Sequence, residues 1–200
     1  SYILGIQIGQ FCKQSDLEVD VELFSKGLND FVKESELVMS EEEISSVMTA
    51  YQQKALEKVQ AEQNAASAEN IRQGQAFLKT NKKKAGVKVT DSGLQYKVIT
   101  EGEGAAPKAT DRVKVHYRGT LINGQEFDSS YKRNEPAEFG LNQVIKGWTE
   151  GVQLMKVGGK SEFYIPSELA YGVNGPPSIG PSQTLIFTVE LLDITTPSTP

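Results

Sequence analysis

All eight prolines of this chain lie at or beyond Pro107. Proline lacks a backbone N–H and clashes with the preceding helical turn, so a long stretch without it is free to run as helix. Most glycines lie beyond Gly86, and the first eighty or so residues are rich in Glu, Gln, Lys, Ala and Leu. This shift divides the chain into a helical N-terminal half and a turn-rich, strand-rich C-terminal half. No internal repeat stands out.

The helical half reads as three helices. The first covers about 2–13, and its apolar residues Tyr2, Ile3, Leu4, Ile6, Ile8 and Phe11 spread around much of the helix, so it needs burial on several sides. Gly5, Gly9 and Cys12 form a stripe of small residues where another backbone has room to approach. The second, about 21–33, places Val21, Phe24, Leu28, Phe31 and Val32 on one face. The third opens with a capping box, Ser40 followed by Glu43, with Glu41 and Glu42 beside the positive helix end. Its apolar pattern (Ile44, Val47, Met48, Tyr51, Ala55, Val59) fades into polar sequence and returns only at Ile71, Phe77 and Leu78, before Lys82 to Lys84 and a stop at Gly86. About 40 residues at 1.5 Å each make a rod of roughly 60 Å, whose polar middle suits a spacer. Two short helices with such large apolar faces are a poor stand-alone domain. The simplest solution is a homodimer formed mainly before Tyr51, with a monomeric three-helix bundle as the alternative.

Composition narrows the chemistry. The net charge is −5, which argues against a nucleic-acid binder. With one cysteine, Cys12, and one histidine, His116, the chain has neither an internal disulfide nor a Cys/His zinc site. A Ser-His-Asp triad would need His116, which the strand pattern turns to solvent between Lys114 and Arg118. Glu41 to Glu43 read as a helix N-terminus rather than a metal site, and Gly102 and Gly104 lack the strand-to-helix context of a phosphate loop. The apolar run at 3–8 is too short to span a bilayer. No signal peptide is visible, and a chain beginning at Ser1 rather than Met fits a processed or trimmed form.

From Gly93 the period becomes two: Leu94, Tyr96 and Val98 alternate with polar residues, as do Val113, Val115 and Tyr117. Asn123-Gly124 is a hairpin turn leading to the strand of Phe127. A short helix at about 145–154 places Ile145, Trp148 and Val152 on one face, and strands follow at about 160–165 and 184–194. The proline-bearing connection between Tyr171 and Thr184 lacks periodicity, and a stiff loop beside a pocket is the reading it supports. Several antiparallel strands with one short helix give an α+β domain. On spacing alone the Tyr, Phe and Trp cluster reads as plain core, and Asp128 as a turn cap with Ser129 and Ser130.

The order Val-His-Tyr-Arg-Gly-Thr, Phe127-Asp128-Ser129-Ser130, Val144-Ile145-Lys146-Gly147-Trp148, Ala170-Tyr171-Gly172 and Thr184-Leu185-Ile186-Phe187 resembles the FKBP family of peptidyl-prolyl cis/trans isomerases over about 93–194. The upstream part is similar to the dimerisation arm of the Mip-like bacterial subgroup. The resemblance implies four parts: a helical dimerisation domain at 1–39, a linker helix at 40–85, an isomerase domain at 86–195 with an antiparallel sheet wrapped around a short helix, and a disordered tail at 196–200. It implies a pocket lined by Tyr117, Phe127, Asp128, Val144, Ile145, Trp148, Tyr171, Ile179 and Phe187. Trp148 would be its floor, and the Ile145 N–H and Tyr171 hydroxyl would bond ligand carbonyls. Arg133, matching a family arginine near Asp128, and Ala170 complete the set. Ala137 stands where some members carry a bulky aromatic, Pro176 where others carry a histidine, and the loop is one residue shorter.

The activity implied is rotation about X-Pro bonds, assisting protein folding as a V-shaped homodimer with chaperone activity. No bond breaks, so no nucleophile or cofactor is needed. The partners implied are proline-containing protein clients, a second copy of the chain, and macrolide inhibitors of the FK506/rapamycin class, with no nucleic acid and no membrane span. The compartment implied is the bacterial periplasm or outer membrane, with the cytoplasm as alternative. Competing readings are a non-catalytic peptide-binding chaperone and a bacterial surface interaction protein.

Overall fold

A computed structural model describes residues 1–15 and 17–195. The tail expected at 196–200 lies outside the described residues. By internal contacts the chain divides into two units, Ser1–Lys58 and Val59–Pro200, with the boundary inside the third helix.

The first unit holds α1 (Tyr2–Gln14), α2 (Val21–Val32) and the start of α3 (Glu41–Asn81). The starts of α2 and α3 follow local chemistry, whereas the Ser1 side chain makes no capping bond to α1. The Asp20 carboxylate caps α2 by accepting from the Glu22 and Leu23 N–H groups at 2.9 and 3.0 Å. The capping box of α3 forms as its sequence predicts. Ser40 Oγ accepts from Glu43 N–H at 3.3 Å, and Glu43 Oε2 accepts from Ser40 N–H at 2.8 Å. Those bonds hold the Glu43 carboxyl below its usual range. Among its described residues this unit buries no apolar side chain. α1 buries no residue and α2 buries only Asp30, which pairs with Lys26 at 2.5 Å. Ile3, Val21 and Phe31 are 73%, 72% and 75% exposed, so the apolar faces of both helices lie open in a single chain.

The second unit is an α+β domain whose strands all pair antiparallel. In chain order they are β1 (Val87–Val89), β2 (Gln95–Thr100), β3 (Arg112–Leu121), β4 (Glu126–Ser129) and β5 (Ala137–Gly140), then α4 (Lys146–Gln153), β6 (Lys160–Ile165) and β7 (Leu185–Thr195). Two short 3₁₀ turns, Ser167–Leu169 and Gly172–Asn174, lie between β6 and β7. Across the sheet the order is β1-β2-β6-β7-β3-β4, and β5 also pairs with β3. At the β3–β4 hairpin Gly124 takes φ +87°, which a residue with a Cβ rarely adopts, and its N–H closes the turn on Leu121 O at 3.0 Å.

Alternation in β3 sends Val113, Val115, Tyr117 and Leu121 into the core. β7 does the same with Leu185, Phe187, Val189 and Leu191. α4 closes this face through Trp148 and Val152, and Gly151 rides directly over the ring of Phe163. β1 and β5 escape the sequence pattern because three or four residues give too few alternations to show a period. His116 departs from the exposed position its strand phase predicts. It is half-buried, stacked on Tyr131 with ring centres 4.7 Å apart, and its Nδ1 lies 2.9 Å from Ser130 Oγ. Strand phase gives the face, and the neighbouring segment then covers it.

The α4–sheet contact yields a test. Alanine is the better helix former than glycine by about 1 kcal/mol. A Cβ on Gly151, however, would sit 2.8 Å from the fully buried Phe163 ring, and overpacking of this kind costs roughly 1–3 kcal/mol. Gly151→Ala is therefore expected to lose about 1 kcal/mol in urea denaturation, against its helix propensity.

Candidate functional site

The outer edge of β3 is shared between two strands. β5 pairs with Arg112 to Val115, and β4 pairs with Arg118 to Thr120. Between them the fully buried Ser130 takes over: its N–H donates to Tyr117 O at 3.0 Å and its Oγ accepts from Tyr117 N–H at 2.8 Å. Tyr117 is thereby fixed at the point where the two strands part. Next to it Gly119 stands in register with Asp128 on one side and Phe187 on the other. A Cβ there would come within 2.6 Å of the Phe127 ring and 2.8 Å of the Phe187 ring, so only glycine lets both rings close over the strand.

These elements enclose a cavity of about 570 Å³. Trp148, from the first turn of α4, is 4% exposed. It meets the rings of Tyr117 at 5.3 Å and 86°, Phe139 at 5.5 Å and 86°, and Phe187 at 5.3 Å and 85°. Phe127 meets Phe187 at 5.5 Å and 83°. Edge-to-face pairs set the positive ring edge against a negative ring face, a favoured geometry that fixes the indole plane. The indole N–H has no protein acceptor among the described residues.

One side of the cavity is polar. The Tyr117 hydroxyl donates to Asp128 Oδ2. Arg133 donates to the Tyr117 hydroxyl at 2.8 Å and to Asp128 Oδ1 at 2.5 Å, closing a three-residue ring of bonds. Burial pushes the Tyr117 hydroxyl pKa up, and the adjacent Asp128 carboxylate adds to it. Burial also pushes Asp128 upward, but hydrogen bonds from Tyr117 and Arg133 outweigh it and hold the carboxyl below its ordinary value. The Asp128 bond in turn raises the Arg133 guanidinium. All three groups therefore keep their ordinary charge states at neutral pH, and none is poised to exchange protons there.

The opposite rim offers donors. Ile145 is the N-cap of α4, and its carbonyl accepts from Trp148 N–H at 2.9 Å and Thr149 N–H at 3.1 Å. Its own N–H has no acceptor among the described residues. Tyr171 is 44% exposed, and its hydroxyl is likewise without a partner among the described residues.

Of the residues singled out in the sequence, Tyr117, Phe127, Asp128, Val144, Ile145, Trp148, Tyr171, Ile179 and Phe187 all line this cavity. Arg133 and Ala170 do not. Arg133 holds Asp128 and Tyr117 from behind, and Ala170 packs against the core just ahead of Tyr171. Ala137 is also off the wall, and Phe139, two residues on in β5, lines it instead. Phe139, Gln143 and Ser178 were missed. Phe139 shares the strand phase of Ala137, which was the available signal, whereas Gln143 and Ser178 lie on irregular segments that give none. Among the described residues no group of three or more His, Cys, Asp or Glu is placed to hold a metal, and no helix is long and apolar enough to cross a membrane.

Both halves of the chain match known families. Residues 103–192 match the family model described as FKBP-type peptidyl-prolyl cis-trans isomerase, and residues 1–98 match the domain amino-terminal to it. The FKBP-type isomerase FkpA of Aeromonas hydrophila is 48% identical over 204 residues, covering 98% of this chain and 76% of the relative. The outer membrane protein MIP of Legionella longbeachae is 42% identical over 197 residues, covering 97% and 84%. The crystal structure of FkpA from Escherichia coli superimposes with a TM-score of 0.81 at 39% identity, covering 98% of this chain and 94% of that one.

The Asp128 ring of bonds has a pH signature. A carboxyl whose folded pKa is depressed adds stability that is complete above its unfolded value, near 3.8, and is lost as pH falls through the folded value. The melting temperature of the wild type should exceed that of Asp128→Asn by a constant margin from pH 7 down to about pH 4, and the margin should narrow below that. A margin that persists unchanged at pH 2 would show that the carboxylate charge is not what stabilises the ring.

Proposed function

The chain belongs to the FKBP-type peptidyl-prolyl cis-trans isomerase family and is such an isomerase, and from this premise we propose that the aromatic cavity over Trp148 is where the prolyl bond turns. The observation carrying this reading is the perpendicular set of rings around Trp148, with an Ile145 N–H at the rim that has no acceptor among the described residues.

Resonance in the C–N bond sets a barrier of about 18–20 kcal/mol, and uncatalysed X-Pro rotation takes tens to hundreds of seconds. Resonance also places negative charge on the amide oxygen, which water stabilises. In this site the prolyl ring lies on the Trp148 face, and the rings of Tyr117, Phe127 and Phe187 keep water from the amide. Losing that water disfavours the planar form, and a site shaped for the twisted amide binds it more tightly than either planar isomer. The Ile145 N–H and Tyr171 hydroxyl hold flanking carbonyls so that one end of the peptide stays fixed while the other turns. A thousandfold acceleration needs about 4 kcal/mol, within the reach of shape fit and two hydrogen bonds. Arg133 acts on Tyr117 and Asp128 rather than on the peptide.

The reading extends to the whole molecule. Open apolar faces on α1 and α2, with no buried apolar residue in either, support a homodimer joined through these helices. Two prolyl sites in one dimer would hold an unfolded client more firmly than one, which supports chaperone activity alongside isomerisation. The same cavity is where an FK506-class macrolide would bind, with Pro176 at its rim. The name of the Legionella relative, an outer membrane protein, supports action in the bacterial envelope, on protein clients there.

Two measurements check this. The intact chain should accelerate a proline-limited refolding reaction, and a Trp148→Leu, Tyr171→Phe double variant should lose at least tenfold of that rate while remaining folded. A folded variant with undiminished rate would remove the cavity from the mechanism. In light scattering the intact chain should have twice its chain mass, and Leu28→Asp with Phe31→Asp should return it to one. A monomeric wild type at micromolar concentration would end the dimer reading.

A further inference from the structure

The last four turns or so of α3, from Ser67 to Asn81, contact the rest of the second unit at two places. The later one fastens the helix to the sheet. Phe77 lies 6.0 Å from the Tyr164 ring on β6, Asn81 Nδ2 donates to Gln95 Oε1 on β2 at 3.1 Å, and Gln95 Nε2 donates back to Leu78 O at 2.9 Å. The earlier one has a different target. Ser67 and Ser182 share a hydroxyl–hydroxyl bond of 2.7 Å, and Asn70 Nδ2 donates to Pro181 O at 2.8 Å. Gly74 meets Thr184 so closely that any Cβ on it would overlap the threonine side chain.

Residues 181–184 are the foot of the loop that brings Pro176, Ser178 and Ile179 into the cavity wall. The loop is closed on itself. Ser182 N–H donates to Gly172 O at 2.7 Å, and the Ile179 and Gly180 N–H groups both donate to Pro176 O at 2.8 Å. A loop tied this tightly moves as one piece, so its position is set at its foot. Ser182 holds a φ of +52°, a conformation unfavourable for a residue with a side chain. Its side chain is buried at 2% exposure, and Ser67 is the only partner of its hydroxyl among the described residues. A buried hydroxyl is costly without a partner. Ser67 therefore favours this one backbone state over the others that Ser182 would adopt.

We propose that Ser67, Asn70 and Gly74 of α3 are positioning residues for the prolyl site: they seat the foot of the 172–184 loop and so fix Pro176 and Ile179 in the cavity wall. The proposal rests on reading that cavity as the prolyl site. It makes part of the linker helix a determinant of peptide affinity. Trp148, Tyr117 and Asp128 stand on α4, β3 and β4, away from this contact, so they stay in place when the seat is weakened, whereas Tyr171, next to Gly172 at the foot of the loop, loosens its hold on the flanking carbonyl. Substrate binding should change and turnover should not.

The test uses the full chain and a Ser67→Ala, Asn70→Ala double variant, with the single variants beside it in case the double one folds poorly. The probe is a blocked tetrapeptide containing Leu-Pro. Its Kd is read from the fluorescence of Trp148, the sole tryptophan, and its kcat and KM from isomerisation. Losing two hydrogen bonds at the seat should raise Kd and KM about threefold to tenfold, with kcat within about twofold of wild type. Ser67→Thr, which keeps a hydroxyl, should restore most of the affinity lost in Ser67→Ala. Gln60→Ala, on the exposed face of α3, should change nothing. Unchanged Kd and KM in a folded double variant would overturn the proposal, as would a fall in kcat at constant KM. If the intact chain neither binds nor turns over the peptide, the cavity reading itself fails and this proposal falls with it. An intact chain that binds without turnover still tests the seat through Kd.

Discussion

Strand β3 bonds to three other strands, and its outer edge changes partner at Tyr117. That change sets most of what the isomerase unit does. An uninterrupted partner strand would have satisfied Tyr117 with backbone alone and closed the sheet. Splitting the edge between β4 and β5 leaves a gap that Ser130 fills through its N–H and hydroxyl. The chain that leaves the edge there carries Arg133 back over Tyr117 and Asp128. β5 then returns with Phe139 on the cavity side. One irregularity in pairing thus supplies an aromatic wall, a polar wall and the brace behind it.

The forces in the site are small individually and act together. Each edge-to-face ring pair contributes about 0.5–1.5 kcal/mol beyond the area it buries. Trp148 makes three such contacts from a single side chain. Their sum is comparable with the roughly 4 kcal/mol that a thousandfold acceleration requires, and in the proposed site it would hold the floor still rather than bind substrate. A floor free to tilt would follow the prolyl ring as the amide turned and fit planar and twisted forms equally, and uniform binding gives no acceleration. In the proposed mechanism, rigidity of the ring set is therefore part of the chemistry. The polar ring of Tyr117, Asp128 and Arg133 serves the same end, since a fixed carboxylate holds the tyrosine ring against the indole.

Much of this was legible in the sequence where signals were periodic or local. The capping box at Ser40 and Glu43, the alternation of Val113, Val115 and Tyr117, and the Asn123-Gly124 turn each carry their cause within a few residues. The cavity was legible only through the resemblance of its motifs to a family, because the residues that line it come from β3, β4, β5, α4, β7 and the loop, and no local period links them. Gln143 and Ser178 stayed hidden for that reason. Arg133 and Ala170 mark the opposite limit. Motif position brought them near the site, but whether a side chain forms the wall or supports it depends on its direction, which motif order does not encode. His116 shows the same limit for burial. Its strand phase is correct, yet Tyr131, fifteen residues away, covers its ring.

The two units differ in how their order is maintained. In the isomerase unit Leu94, Val113, Val115, Phe163, Ile165, Leu185 and Leu191 have no exposure at all, so its ordering cost is offset within one chain. In α1 and α2 no apolar side chain is buried. Fixing each residue of a helix costs about 1–2 kcal/mol of conformational entropy, and caps such as Asp20 recover only about 1 kcal/mol apiece. Helix propensity is too weak to supply the remainder in segments of 13 and 12 residues. The homodimer proposed above would supply the missing apolar surface from outside the single chain. In that proposal a second copy presents the same faces, and pairing them would bury both sets at once. On this argument the open helices and the closed isomerase core have one physical origin, the amount of apolar surface each segment can bury without help.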